Sequence, residues 1–387
     1  MAASLKPGAP LRIGLIFDDS LDKPDGVQQY VLSIGEWLRK QGHDVHYLVG
    51  ETKRLDLKNL HSLSRNLNVR FNGNRMSIPM PSSRRSLRQL LASQQFDVLH
   101  VQMPYSPFLA HRLIMAAGPE TAVIGTFHVF ASSRLVSAAT SLLGLWLHAS
   151  LRRFDSIVSV STAAADFAAK TFRIKTSVLP NVIDFERFES AKPLPRYSDE
   201  VLTILFLGRL VPRKGCQLLL EAIVQLQHDS DLPAYRVVVC GKGPLADKLL
   251  RYSNDHQLGN VVEFVGFVSE ADKPSYYASA DIAVFPSNGG ESFGIVLIEA
   301  MASGHATVLA GNNPGYRSVM IDRPELLFNP NNTASLATKL RQYLKDSRLR
   351  QEACKWGQSY SQDYDTTVVG TKLLKIYAKA LRNRRQQ

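Results

Sequence analysis

The chain has 387 residues, 45% hydrophobic and 21% charged, with a formal net charge of +12. That is the profile of an ordinary globular protein, long enough for two or three domains. Its three cysteines, Cys216, Cys240 and Cys354, are scattered without metal-ligand or redox spacing, which predicts a reducing compartment and no structural zinc.

The opening "MAASLKPGAP" lacks the basic, apolar and small-residue regions of a secretory signal, so none is expected. The first half then alternates apolar, β-branched runs with helical patterns. "LRIGLIF" (11–17), "DVHYLVG" (44–50), "FDVLHVQ" (96–102), "AVIGTFH" (122–128) and "SIVSVS" (156–161) are predicted to be buried parallel strands. Helices are predicted at 27–42 and 161–172. Strand–helix alternation of this kind implies a doubly wound α/β sheet. "LVSAATSLLGLWLHASL" (135–151) is the most membrane-like stretch, but it is short and seeded with Gly, Ser, Thr and His. It is expected to be a helix of the protein rather than a span.

Around "AKPLPRYSDE" (191–200) two prolines and mixed charge interrupt the alternation, which predicts a linker. The pattern restarts at "LTILFLG" (202–208), "YRVVVCG" (235–241), "VVEFVGF" (261–267), "DIAVFPS" (281–287) and "ATVLAG" (306–311). After about residue 332 it becomes all-helical. The expected architecture is two Rossmann-like domains facing a central cleft at the carboxyl ends of both sheets.

Charge is uneven along the chain. Residues 1–197 carry 24 basic against 15 acidic side chains, and nine basic residues between Lys53 and Arg88 face only Asp56. Such a face suits nucleic acid, anionic lipid or a phosphorylated ligand, and charge alone does not choose. No aromatic-interleaved patch or nucleic-acid motif accompanies it, so no nucleic-acid partner is expected. Asp97, His100 and Glu120 read as surface or strand-edge residues.

The densest chemistry lies in "SNGGESFGIVLIEAMASG" (287–304). Gly289 and Gly290 let backbone approach a ligand, and the helix that follows offers unpaired N–H groups to an anion. Glu291 alone could be a carboxylate complementing the helix dipole. That does not explain Glu299, two turns further into an apolar helix. A carboxylate accepts two hydrogen bonds in one plane, which suits a vicinal diol. The pair therefore predicts sugar hydroxyls at Glu291, phosphate near the loop and helix start, and ribose hydroxyls at Glu299.

"GGESFGIVLIEAMASG" resembles the glutamate–seven residues–glutamate signature of glycosyltransferase family 4, the retaining enzymes of GT-B fold. Over the whole chain the sequence is most similar to bacterial phosphatidylinositol mannosyltransferases. The resemblance implies an acceptor domain at 1–192, a linker at 193–200, and a nucleotide-sugar domain at 201–364. A C-terminal helix at 365–387 is then expected to return to the first domain. In "FLGRLVPRKG" (206–215) it places Arg209 and Lys214 on the diphosphate, where they would neutralise the charge building on the leaving group. His128, at the end of "GTFH", would lie beside the transferred sugar, although a lone histidine is more often a core residue. Gly26 matches one glycine of the family's first loop, whereas Asp25 replaces the other. Gly241 and Gly243 of "GKGPLADKL" would wall the base pocket, and Ser292, Phe293 and Gly294 would belong to the donor loop.

The resemblance further implies no metal, no protein nucleophile and no cofactor. GDP-mannose is the expected donor, a UDP-sugar its alternative, and a lipid or glycan hydroxyl the acceptor. On the acceptor side, "PSSRRSLRQLLASQQF" (81–96) has leucines on one face and Arg84, Arg85 and Arg88 on the other. That pattern serves an ordinary surface helix or contact with an anionic membrane. "VQMPYSP" and Asp19 depart from the family's acceptor-side pattern. A cytoplasmic location, peripheral on the inner face of the membrane, is expected. An epimerase or phosphorylase of the same fold, or an inactive basic binding protein, stays open as an alternative.

Overall fold

The computed structural model describes residues 9–22, 26–71, 74–80, 82–129 and 147–386. Asp25 and most of the 135–151 stretch lie outside them. The chain divides into two compact units. Unit 1 is Met1–Val182 together with Thr366–Gln387, and unit 2 is Ile183–Asp365.

In unit 1 the strands are β1 (Arg12–Phe17), β2 (Asp44–Val49), β3 (Leu60–Ser62), β4 (Asn66–Phe71), β5 (Asn74–Pro79), β6 (Val98–Val101), β7 (Ala122–Phe127), β8 (Ser156–Ser159) and β9 (Ser177–Val178). Seven of them form a sheet of order β3-β2-β1-β6-β7-β8-β9, parallel throughout. Strands β4 and β5 pair separately and antiparallel, in a region whose basic charge masked its strand pattern. The central strands β6 and β7 are buried along their whole length, as helices on both faces of a parallel sheet require. His100 lies in β6 and is fully buried. This corrects its expected place at a surface or strand edge.

The C-terminal helix Thr366–Gln386 explains that burial. Its residues Val369, Leu373, Tyr377, Ala380 and Leu381 recur at helical spacing and join the same core as Ile13, Leu15, Tyr30 and Ile34. The Tyr377 hydroxyl donates to His100 Nδ1 at 2.7 Å. The other ring nitrogen, Nε2, lies 2.7 Å from Thr126 Oγ1. Burial pushes the His100 pKa down to about 3, with His128 adding to the effect, so the ring is neutral and needs both partners. At the helix end, Arg384 Nε pairs with Asp155 Oδ1 at 2.6 Å.

Unit 2 contains β10 (Leu202–Leu207), β11 (Tyr235–Cys240), β12 (Val262–Gly266), β13 (Ile282–Phe285), β14 (Thr307–Gly311) and β15 (Leu327–Phe328). Its sheet has order β12-β11-β10-β13-β14-β15 and is again parallel. The segment 193–200, expected to be a linker, is fastened to this unit. Leu194 N donates to Ser279 Oγ at 2.8 Å, and Tyr197 Oη donates to Glu263 Oε2 at 2.8 Å. Pro195 opens a short 3-10 turn that buries Tyr197, so the prolines mark a tight turn. The division between units falls earlier, after Val182.

Tyr377→Phe strips His100 Nδ1 of its donor in a fully buried site. The variant is expected to lose about 1–3 kcal/mol of stability, read as a lower midpoint in urea. An unchanged midpoint would refute this account of how the C-terminal helix is held.

Candidate functional site

In both sheets the strand order reverses beside the first strand: between β1 and β6 in unit 1, and between β10 and β13 in unit 2. Parallel strands open a crevice at their carboxyl ends where the order reverses. In unit 2 that edge carries the loops after β10 and β13. The first holds Arg209, Arg213 and Lys214, and the second runs from Ser287 to Glu291 into the helix Ile295–Ala302.

Three groups converge on Oε1 of Glu291. Arg213 Nη1 donates at 2.7 Å, Lys214 Nζ lies at 2.9 Å, and Ser287 Oγ donates at 2.9 Å. Burial by itself would raise the Glu291 pKa. The Lys214 and Arg213 charges outweigh it and hold the carboxyl below its ordinary value. Two cations against one carboxylate leave a surplus positive charge, to which exposed Arg209 on the same loop adds. The two loops are also tied through backbone, since Asn288 N and Ser287 Oγ both donate to the Arg213 carbonyl, at 3.0 and 2.9 Å.

Arg213 was not singled out from the sequence. Its signal was its place beside Lys214 in "PRKG", where the turn Pro212–Lys214 ends at Gly215 and both side chains reach one oxygen.

Glu299 belongs to a different cluster. It is 3% exposed, with Oε1 3.2 Å from Lys273 Nζ and Oε2 accepting from Tyr277 Oη at 3.3 Å. Lys273, itself buried, also reaches Glu270 Oε2 at 2.7 Å. Burial lifts the Glu299 carboxyl above its ordinary value, with the Lys273 charge opposing it. For Lys273, burial works against the charge, and Glu299 and Glu270 together raise its pKa. The helix Ile295–Ala302 is thereby joined to the helix Lys273–Ala278 by a buried ion pair. A lone lysine followed by proline gave no sequence signal for it.

The remaining predicted residues fall into three groups. Gly289 and Gly290 lie on the loop beside Glu291, and Gly290 sits in the left-handed region at φ 71°. Gly294 must be glycine: its φ is 111°, and a Cβ there would stand 2.6 Å from the Tyr316 ring. Ser292 is half-buried on the same loop, whereas the Phe293 side chain turns into the core with its ring 5.7 Å from Tyr364. Gly241 and Gly243 pack backbone to backbone: Cβ atoms would come within 1.8 Å of Gly208 O and 2.3 Å of Leu210 O. They shape the loop that presents Arg209.

In unit 1, Asp18 bridges the loops that leave β1 and β6. It accepts from Ala110 N at 2.9 Å and from the Ser106 hydroxyl. Burial raises its pKa to about 7 against those hydrogen bonds. His128 is 5% exposed at the end of β7, and its Nε2 bonds Gln102 Oε1 at 2.9 Å. Because that oxygen only accepts, Nε2 carries the proton. Gly26 opens the helix Gly26–Lys40 with open space where a Cβ would be.

The helix Arg84–Gln94 begins with Ser83 accepting from Ser86 N. Leu87 is buried, and Leu90 and Leu91 pack against the unit 1 core of Phe96, Leu99 and Leu113. Its leucine face is thus consumed by the protein, and Arg84, Arg85 and Arg88 are what it exposes. Among the described residues no helix is long and apolar enough to cross a membrane.

Glu299→Leu leaves Lys273 buried with only Glu270. The loss should lie toward the lower end of the about 3–5 kcal/mol typical of a broken buried pair. The double variant Lys273→Met/Glu299→Leu should recover most of it in thermal melts. Additive losses would show that the pair is not coupled.

Residues 24–187 match the family model described as Glycosyltransferase Family 4, and residues 187–359 match Glycosyl transferases group 1. The chain is 32% identical over 371 residues to the phosphatidyl-myo-inositol mannosyltransferase of Mycolicibacterium smegmatis, covering 95% of this chain and 93% of that one. It is 26% identical over 323 residues to the GDP-mannose-dependent alpha-(1-6)-phosphatidylinositol monomannoside mannosyltransferase of Mycobacterium tuberculosis, covering 79% and 81%. Among solved structures it is similar to a glycosyltransferase from Rickettsia africae, with TM-score 0.74, 18% identity, and coverage of 97% and 99%.

Proposed function

The chain belongs to glycosyltransferase family 4, and on that premise we propose that it transfers mannose from GDP-mannose to a hydroxyl of a phosphatidylinositol-type lipid, retaining anomeric configuration. Its fold is GT-B, with two parallel-sheet α/β units. The observation that carries the proposal is the meeting of Arg213, Lys214 and Ser287 on Glu291 at the strand-order reversal of unit 2.

Arg209 and Lys214, joined by Arg213, hold the diphosphate. The bond that breaks joins the anomeric carbon to the diphosphate oxygen. Its electron pair leaves with GDP, and the cations stabilise the charge as it develops. The bond that forms runs from the acceptor oxygen to the same face of the sugar. A departing phosphate oxygen takes the acceptor's proton, so no protein nucleophile is required. Glu291 receives a sugar hydroxyl on Oε2, since the three described contacts all fall on Oε1. Glu299 receives the ribose hydroxyls while still bonded to Lys273 and Tyr277, because a carboxylate offers about four lone-pair sites. The acceptor is reached at the inner face of the cytoplasmic membrane, where Arg84, Arg85 and Arg88 meet anionic headgroups.

Melting in the presence of GDP- and UDP-sugars tests the donor. A ligand at a hundredfold its Kd stabilises the native state by about 2.7 kcal/mol, and GDP-mannose should give the largest rise. Arg209→Ala should lower kcat on the order of 10²–10³-fold and leave a product of unchanged anomeric configuration by NMR. A larger rise with a UDP-sugar moves the assignment to that donor, and GDP binding without any transfer favours an inactive binding protein. For the membrane, replacing Arg84, Arg85 and Arg88 by Gln should weaken cosedimentation with phosphatidylinositol vesicles by about 1 kcal/mol per residue. Unchanged cosedimentation removes the basic helix from the account.

A further inference from the structure

Unit 1 holds an unused pair of hydrogen-bonding atoms beside His128. Gln102 follows β6 at the strand-order reversal and is fully buried, and Asn181 is 8% exposed. Both amides are fastened to one imidazole. Gln102 Oε1 accepts from His128 Nε2, and the Asn181 side chain also hydrogen-bonds the ring. A ring nitrogen makes one in-plane hydrogen bond, which assigns Asn181 to Nδ1. Each amide therefore uses one of its two polar ends. The others, Gln102 Nε2 and Asn181 Oδ1, have no partner among the described residues. Native cores rarely leave a buried donor and a buried acceptor unpaired, and never without cost.

The surroundings are uncharged. The Tyr30 ring stands edge-on to His128 with centroids 5.0 Å apart, and buried His100, neutral as described above, lies close enough to act on the ring electrostatically. Burial pushes the His128 pKa down to about 3. A phosphate or carboxylate would meet no counter-charge on any of these groups. A neutral hydroxyl suits them, because it accepts one hydrogen bond and donates another.

We propose that Gln102 Nε2 and Asn181 Oδ1, flanking His128, form a subsite that binds one neutral hydroxyl of a substrate. The amide N–H donates to the hydroxyl oxygen, and Asn181 Oδ1 receives its proton. A water with the same two bonds fills the place until substrate displaces it. His128, with both nitrogens engaged, is then a positioning residue that holds the two amides apart, and it transfers no proton. The hydroxyl belongs to the transferred sugar or to the acceptor polyol, an identification that rests on the function proposed above.

The test uses the full chain with 15N-labelled histidine, mannose and myo-inositol as probes, and the variants Gln102→Glu and Asn181→Ala. Gln102→Glu keeps the oxygen that His128 uses and removes the free donor, and Asn181→Ala removes the free acceptor. In the parent, one of the two polyols should shift the His128 side-chain signal saturably. Mannose would mark the transferred sugar, and myo-inositol the acceptor. Either variant should abolish that shift while still melting cooperatively. In turnover with GDP-mannose and phosphatidylinositol vesicles, each variant should raise the KM of the matching substrate about tenfold, the loss expected for roughly one hydrogen bond, and leave the other KM unchanged. A His128 signal that neither polyol moves, or variants that lower kcat alone, would overturn the subsite. Absence of turnover in the parent would instead sink the proposed function, and the titration would still decide the subsite.

Discussion

A parallel sheet cannot be joined by hairpins, so every connection must cross over the sheet and return. This single requirement arranges the rest of the molecule. It puts helices on both faces, so β6 and β7 are buried throughout, and it sends every strand's carboxyl end to one edge. Where the chain turns back to the other side of its first strand, two neighbouring loops diverge. In unit 2 those loops are the ones that meet through Arg213, Lys214 and Glu291. In unit 1 they meet through Asp18 with Ser106 and Ala110. The same topology, used twice, creates a cationic edge in one unit and a neutral, hydrogen-bonding edge in the other.

The two glutamates of the signature show how differently burial acts on one residue type. Glu291 is held ionised because two cations and a hydroxyl converge on a single oxygen, which outweighs the loss of water. Glu299 lies deeper and shares its one cation with Glu270, so burial prevails and its carboxyl rises. The eight-residue spacing places the first on a loop and the second inside a helix. A ligand-facing and a scaffold-facing carboxylate thus come from one short stretch. Lys273 joins that helix to its neighbour, and a buried ion pair of this kind contributes fixed geometry more than net stability.

The fold class was legible because period is local. Runs such as "LRIGLIF" and "YRVVVCG" are apolar on both faces of a strand, and the intervening helices carry their stripes within a few turns. Short edge strands such as Ser177–Val178 and Leu327–Phe328 were not legible, since two residues have no period. The prolines at 193 and 195 suggested a break for the same reason, yet Tyr197 and Leu194 find partners near residues 263 and 279. The hairpin of β4 and β5 was hidden by the basic charge of its segment.

Local chemistry in the sequence determined that this chain builds two α/β units, carries a glutamate-rich donor-type motif, and exposes a basic helix. It did so because strand period, glycine placement and charge are properties of neighbours. Tertiary structure decided which side chains meet. Arg213 and Glu291 are 78 residues apart, Lys273 and Glu299 are 26 apart, and Tyr377 and His100 are 277 apart. No window of sequence spans such pairs. Only the crossovers of the two sheets, and the return of the last helix to unit 1, bring their polar atoms within hydrogen-bonding distance.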